Sequence, residues 1–284
     1  MGRHRGRYNA LHTAPYELSR SWIETWRKCE ACFWLTKVKG VKTPSIPGFL
    51  INSLTDQLLK HEMDKFRQEQ KPHPFFESKG LSHIVPLDHP ELEDWTDSLQ
   101  FGASPKKWNT VHEPTNILFG GGIDDMFVNT ETGEYHCVDY KSTAVSSWGF
   151  RDEITLDGEY KQGYKRQMDM YVWIGKQRGL PMSNDTFFLY VDGQNSQPTG
   201  EKLEGMYLDA DGTSQLFFWT TLIPYKADDS WVEEALFGVK ESLEKPKCPD
   251  HAENCEHGRY LKQTMLALDM YDEPAGSHPR KGKK

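Results

Sequence analysis

The chain has 284 residues, with 34 lysines and arginines against 42 aspartates and glutamates, a formal net charge of −8 and a pI near 5.8. That balance excludes a coat protein held to nucleic acid by bulk positive charge, but not a carboxylate-rich metal site with local basic groups. A mean hydropathy of −0.73 is polar, yet 14 Phe, 12 Tyr and 9 Trp can build a core, which excludes disorder throughout, and no apolar run approaches the roughly 20 residues of a membrane span.

The two ends, residues 1–15 and 266–284, read as mobile tails. Arg3, Arg5 and Arg7 mark the first, and Arg280, Lys281, Lys283 and Lys284 the second. Polar sequence rather than an apolar stretch follows the basic N-terminus, so no secretory signal is expected and a cytoplasmic location is. Trp22, Ile23, Trp26, Cys29 and Phe33 recur at helical spacing and predict a helix over Ser19–Lys37. After a loop with Pro44 and Pro47, a second helix is predicted from about Gly48 to Gln68. Its apolar arc would contain Ile51, Leu58, Leu59, Met63 and Phe66, with Asn52 and Asp56 at the margin.

Residues 71–115, rich in Pro, His and Glu, read as an insertion on the core, with one short helix near Glu91–Leu99. A hairpin follows, Ile117–Val128 and Tyr135–Lys141, joined by the turn-forming Asn129–Glu134. Then come a helix at Tyr160–Arg178, strands at Thr186–Val191 and Leu216–Ile223, and a helix at Trp231–Leu243. A cysteine segment, 246–265, is expected to pack on the N-terminal helix. This order predicts an α/β fold, one domain over 16–245, with a mixed central β-sheet flanked by helices.

Alternate side chains of a strand share a face, so Asp139 and Lys141 of Val138-Asp-Tyr-Lys-Ser142 project together. The preceding strand carries Gly122-Ile-Asp124-Asp125, and a hairpin can bring one of those aspartates beside Asp139. Strand alternation does not choose between Asp124 and Asp125. Two carboxylates held close in a poorly solvated site repel each other and favour a hard divalent cation between them; Mg²⁺ or Mn²⁺ there can activate water for phosphodiester hydrolysis. Tyr160, Tyr164, Gln167 and Tyr171 form one stripe on the following helix, and Lys161 and Lys165 lie on an adjacent face within reach of phosphates.

Taken in order, five segments resemble the PD-(D/E)XK nuclease superfamily in its RecB-type exonuclease branch. That branch includes helicase-associated nuclease domains and the iron–sulfur nucleases of CRISPR adaptation. The segments are Leu18–Cys29, Gly48–Asp56, Gly121–Asp124, Val138–Thr143 and Gln167–Tyr171. The resemblance implies a restriction-endonuclease-like core with Asp124, Asp139 and the backbone carbonyl of Tyr140 as metal ligands and Lys141 as the catalytic lysine. Gln167 and Tyr171 would position the site, and Tyr164, Lys161 and Lys165 would touch DNA. Asn52 stands where the family carries a metal-binding histidine; Asn52, with Asp56 behind it, is a further candidate for the metal.

The expected activity is Mg²⁺- or Mn²⁺-dependent DNA hydrolysis, by an exonuclease on ends or single strands. The alternatives are a DNA-binding protein on a weakened nuclease fold, and a nuclease subunit that needs a helicase, recombination or integrase partner.

Five cysteines in a chain this long do not form a disulfide framework. Cys29 and Cys32 form C-x-x-C, and Cys248 and Cys255 lie more than two hundred residues on, flanked by His251 and His257. Four soft ligands in two groups could bind Zn²⁺ or a [4Fe–4S] cluster. Iron–sulfur members of the branch offer one cysteine from the N-terminal helix and three from the C-terminal segment. Here the split is two and two, and Gly258 stands where the last cysteine is expected. Cys137, inside a strand, reads as core packing.

Overall fold

The computed structural model describes residues 2–44, 48–144, 154–194, 207–208 and 210–268. In chain order its elements are β1 (Tyr16–Ser19), α1 (Arg20–Lys28), α2 (Glu30–Trp34), α3 (Leu50–Glu69), α4 (Pro74–Glu77), β2 (Ile84–Pro86) and α5 (Leu92–Thr96). They continue with β3 (Asn109–His112), β4 (Ile117–Gly120), β5 (Asp125–Asn129), β6 (Tyr135–Thr143), α6 (Gln162–Gln177), β7 (Asp185–Gly193), β8 (Tyr207–Leu208) and β9 (Ser214–Gln215). The last three are β10 (Phe218–Lys226), α7 (Val232–Glu244) and α8 (Glu256–Ala267).

The architecture is mixed α/β. A five-stranded sheet runs in the order β10–β7–β6–β5–β2, with β6 and β7 parallel and the other pairs antiparallel. A second sheet, β1–β4–β3, joins the N-terminal strand to the middle of the chain. Side-chain alternation along β6 gives the large sheet two apolar faces. Cys137 faces a core shared with Met168, Tyr171 and Val172 of α6. Val138 and Tyr140 face Met63 of α3, with Phe76, Phe127 and Leu189. No helix among the described residues is long and apolar enough to cross a membrane.

Several expectations need correction. Residues 2–15 are not a loose tail: His4 bridges to Tyr16, the Arg3 guanidinium pairs with buried Glu17, and the Tyr16 hydroxyl donates to the Gly6 carbonyl at 2.6 Å. Of the other expected tail, residues 266–268 close α8 and 269–284 lie outside the described residues.

The segment 71–115 is no insertion on a finished core. It supplies β2 at the edge of one sheet and β3 in the other, and its Trp95 and Trp108 are fully buried. The hairpin is β5–β6 alone: the first expected strand stops at Gly120, where β4 leaves for the second sheet.

The helix expected over Ser19–Lys37 breaks at Cys29, which is extended (φ −162°, ψ 106°) and divides α1 from α2. Helix α3 matches its expected span, but only Met63 of the apolar arc is fully buried. Ile51 and Leu58 face outward, while Thr55 and Met63 are the buried positions of the helix, which packs on β6 and β2.

Candidate active site

Three glycines deliver the chain into the site. A Cβ on Gly121 would stand 3.1 Å from the Tyr171 ring, and one on Gly122 would meet the Thr96 carbonyl at 2.5 Å, so the backbone passes where no side chain fits. Directly after this passage come Asp124 and β5.

Across β5–β6, Asp125 stands opposite Val138 and Met126 opposite Cys137. Carried one residue further, that register sets Asp124 opposite Asp139, and opposite residues of an antiparallel pair share a face. The Tyr140 amide donates to Asp124 Oδ2 at 3.0 Å and holds the carboxylate there. Lys141, two residues beyond Asp139 on the same face, pairs with Asp139 Oδ2. The structure therefore brings Asp124, Asp139 and Lys141 together.

Asp125 goes the other way. It accepts from Arg67 at 2.7 and 2.9 Å and from the Tyr140 hydroxyl at 2.6 Å, all on the α3 side of the sheet. It is a salt-bridged structural carboxylate.

Helix α6 orients the group. Gln167 Nε2 donates to Asp139 Oδ1 at 2.6 Å and to the Tyr171 hydroxyl at 3.2 Å, and that hydroxyl donates to the Gly122 carbonyl. Gln167 and Tyr171 thus connect both strands of the site. Tyr164 lies with its ring centre 4.9 Å from the Lys141 ammonium, while Tyr160 is exposed.

Burial pushes the Asp139 carboxyl up to about 7; the Lys141 ammonium opposes this and the charge of Asp124 adds to it. Burial also opposes the charge on Lys141, but Asp139 and Asp124 outweigh it and raise its pKa. Ionised Asp139 is thus a poorly solvated charge beside a second carboxylate.

A cleft of about 540 Å³ opens beside Asp124. Arg5, Arg20, Lys37 and Lys60 line it, against Glu17 and Asp124 as the acidic members. Arg20 sits 5.9 Å from the Tyr171 ring centre; burial opposes its charge, but Tyr171, Asp139 and Asp124 raise its pKa. Lys37, its ammonium 3.7 Å from the Trp22 ring centre, is brought down to about 8 by burial and by Arg5.

Of these four cations only Arg20 lies within one of the five quoted segments, Leu18–Cys29. The signal for Arg20 was its place in the Ser19-Arg20-Ser21 start of α1. For the others, spacing held no signal, because three distant segments converge.

Other expected residues stay apart. Asn52 is exposed in the first turn of α3, and Asp56 pairs with Lys60 at 2.9 Å; neither is joined to the carboxylate pair among the described contacts. From that helix the Thr55 hydroxyl is hydrogen-bonded with Ser142 of β6, and Lys60 lines the cleft beside Asp124. Lys161 is not on a phosphate-facing surface: it is buried and donates to the Thr155 carbonyl at 2.5 Å. Lys165 is half-buried on α6.

A second cluster lies where α1 and α2 meet the C-terminal segment. Cys29, Cys32, His251 and Cys255 place one ligand atom each within 4.8 Å of one another, a set able to hold Zn²⁺ or an iron–sulfur centre. Cys248, expected as the fourth ligand, is exposed and outside this group; His251 takes its place. Burial works against ionisation of Cys29, but the Ala252 and Cys32 amides and the His251 ring bring it down to about 7. Trp34 Nε1 donates to the Lys245 carbonyl at 3.1 Å and ties the same two regions together. Cys137 is buried in the core, as expected. Comparison with protein-family models, curated proteins and solved structures returned no match for this chain.

Proposed function

We propose that this protein is a Mg²⁺- or Mn²⁺-dependent DNA nuclease of restriction-endonuclease-like fold, hydrolysing phosphodiester bonds as an exonuclease. The observation that carries the reading is the convergence of Asp124, Asp139 and Lys141 on one face, with Gln167 hydrogen-bonded to Asp139. The donors are hard oxygens, the set that Mg²⁺ and Mn²⁺ prefer, and the charge on buried Asp139 is one that a cation would relieve. Asp124, Asp139 and the Tyr140 carbonyl would hold the ion. It would supply an activated water and charge neutralisation at the phosphoryl group.

The chain's own groups do the rest. Lys141 keeps its proton beside Asp139 and Asp124 and offers it as a hydrogen-bond donor to the charge that develops on phosphate oxygens. Gln167 and Tyr171 fix the carboxylate and the Gly122 turn, so little reorganisation is needed when substrate arrives. Arg5, Arg20, Lys37 and Lys60 give a polyanion a favourable path to Asp124 despite the net negative charge of the chain. The sulfur–imidazole cluster is a separate structural metal site in this reading and takes no part in hydrolysis.

The test is degradation of end-labelled single-stranded and duplex DNA by purified protein with Mg²⁺, Mn²⁺ or EDTA. The reading expects cation-dependent products of mononucleotide or short oligonucleotide size.

The placement of Asn52 and Asp56 outside the carboxylate pair favours a second reading, a DNA-binding protein on a weakened nuclease fold. Retention of DNA with no products under any cation would support it. Cleavage that appears only on adding a helicase, recombination or integrase partner would mark a dependent subunit.

A further inference from the structure

The cluster at the base of α1 decides its own occupant by distance. Cys29 Sγ, Cys32 Sγ and Cys255 Sγ lie 3.4, 3.6 and 3.7 Å from His251 Nδ1, and Cys32 Sγ lies 3.5 Å from Cys255 Sγ. A single tetrahedral zinc ion, with bonds of about 2.3 Å to sulfur and about 2.0 Å to nitrogen, sets its donors roughly 3.5–3.8 Å apart. Around a [4Fe–4S] cube each thiolate binds a different iron, and the sulfurs stand roughly 6 Å apart. The donor atoms here all lie within 4.8 Å of one another, too close to surround a cube. The iron–sulfur cluster implied by the sequence resemblance does not fit these residues.

A second, independent observation concerns Gly258. A Cβ there would stand 2.6 Å from both Cβ and Cγ of His251. Any side chain at 258, cysteine included, would occupy the space that the imidazole takes. A side chain at 258 and the His251 imidazole therefore exclude each other: with glycine at 258, the nitrogen of His251 can stand as the fourth ligand beside the three sulfurs.

The surroundings also suit a permanent thiolate site. The Ala252 amide faces Cys29 Sγ at 3.5 Å and the Gly258 amide faces Cys255 Sγ at 3.3 Å, and Cys255 caps the start of α8.

From this geometry we infer that Cys29, Cys32, His251 (through Nδ1) and Cys255 form a Cys₃His structural zinc site, with Cys248 excluded. The ion ties two segments 219 positions apart along the chain and fastens α8 to the α1–α2 junction. Cys29 is extended because its sulfur turns into this site, which explains the break between α1 and α2. The inference is independent of whether the carboxylate site hydrolyses DNA.

The experiment uses the full chain, purified anaerobically from cells supplied with both iron and zinc, with metal and acid-labile sulfide measured per chain. Stoichiometric zinc without iron or sulfide is expected. After Co²⁺ exchange, the visible bands of a tetrahedral thiolate site should appear. Cys248→Ser, at an exposed position, should keep its zinc, and His251→Ala should lose zinc to a chelator that leaves the wild type loaded. Stoichiometric iron and sulfide, absence of bound metal, or zinc that depends on Cys248 and not on His251 would each overturn the assignment.

Discussion

Asp124 and Asp125 are adjacent in the chain and serve opposite faces of the same sheet. Asp124 accepts from the Tyr140 amide beside Asp139, whereas Asp125 accepts from the Tyr140 hydroxyl and from Arg67 on the far side. One tyrosine thus separates a candidate ligand from a structural ion pair, and the two aspartates should respond differently to mutation. Asp125→Ala leaves Arg67 and the Tyr140 hydroxyl buried without their acceptor, and should lower stability by about 3–5 kcal/mol. Asp124→Asn should leave the denaturation midpoint nearly unchanged and abolish cleavage. Urea unfolding and a nuclease assay on both variants check this.

Gln167 acts on Asp139 and, through Tyr171, on the Gly122 turn. Tyr171→Phe removes one buried hydroxyl and should cost about 1 kcal/mol of stability. Its effect on the reaction should fall on kcat, with KM for DNA little changed, because the substrate path is intact. A raised KM at unchanged kcat would place Tyr171 in substrate binding instead.

Lys37 combines burial with charge. Its folded-state pKa of about 8 lies below the ordinary lysine value of 10.5. The contribution of a depressed group is fully present above the unfolded value and is lost as pH falls through the folded one, so charged Lys37 opposes folding at neutral pH. The Trp22 face recovers part of this. Lys37→Met should therefore stabilise the DNA-free protein at pH 7 by about 1–2 kcal/mol, and the gain should vanish between pH 8 and 10.5. The same variant should bind DNA more weakly. Thermal unfolding across pH, paired with a binding assay, reads both effects.

Arg20 is held charged beside Asp124 and Asp139 and faces the cleft. If it meets a backbone phosphate, Arg20→Gln should lower the slope of log affinity against log salt by about one, for every DNA sequence alike. An unchanged slope would place Arg20 in a purely structural role against Tyr171.

Much of the site was readable because strand alternation is local. The period of two put Asp139 and Lys141 on one face, and the helical period put Gln167 one turn from Tyr171. Alternation left Asp124 and Asp125 open and the resemblance favoured Asp124; the register of β5 on β6 sets that residue opposite Asp139.

Segments 2–15 and 71–115 carry no amphipathic period. The second gains stability through β2 from distant β5, and the first through His4 and Arg3 from Tyr16 and Glu17, so they resembled an insertion and a tail. His251 was visible only as a flanking residue. No spacing rule joins His251 to Cys32, 219 positions away, although Cys255 lies only four residues on, and a further local sign was glycine at 258.

The central claim is that the Asp139–Lys141 pair acts on a phosphodiester beside a bound cation. Its most direct test is the rate of degradation of end-labelled DNA, with Mg²⁺ and Mn²⁺, by the wild type, Asp139→Asn and Lys141→Ala at matched circular dichroism. The account predicts cation-dependent cleavage by the wild type and a loss of at least about 100-fold in each variant. Full cleavage by both folded variants would contradict it.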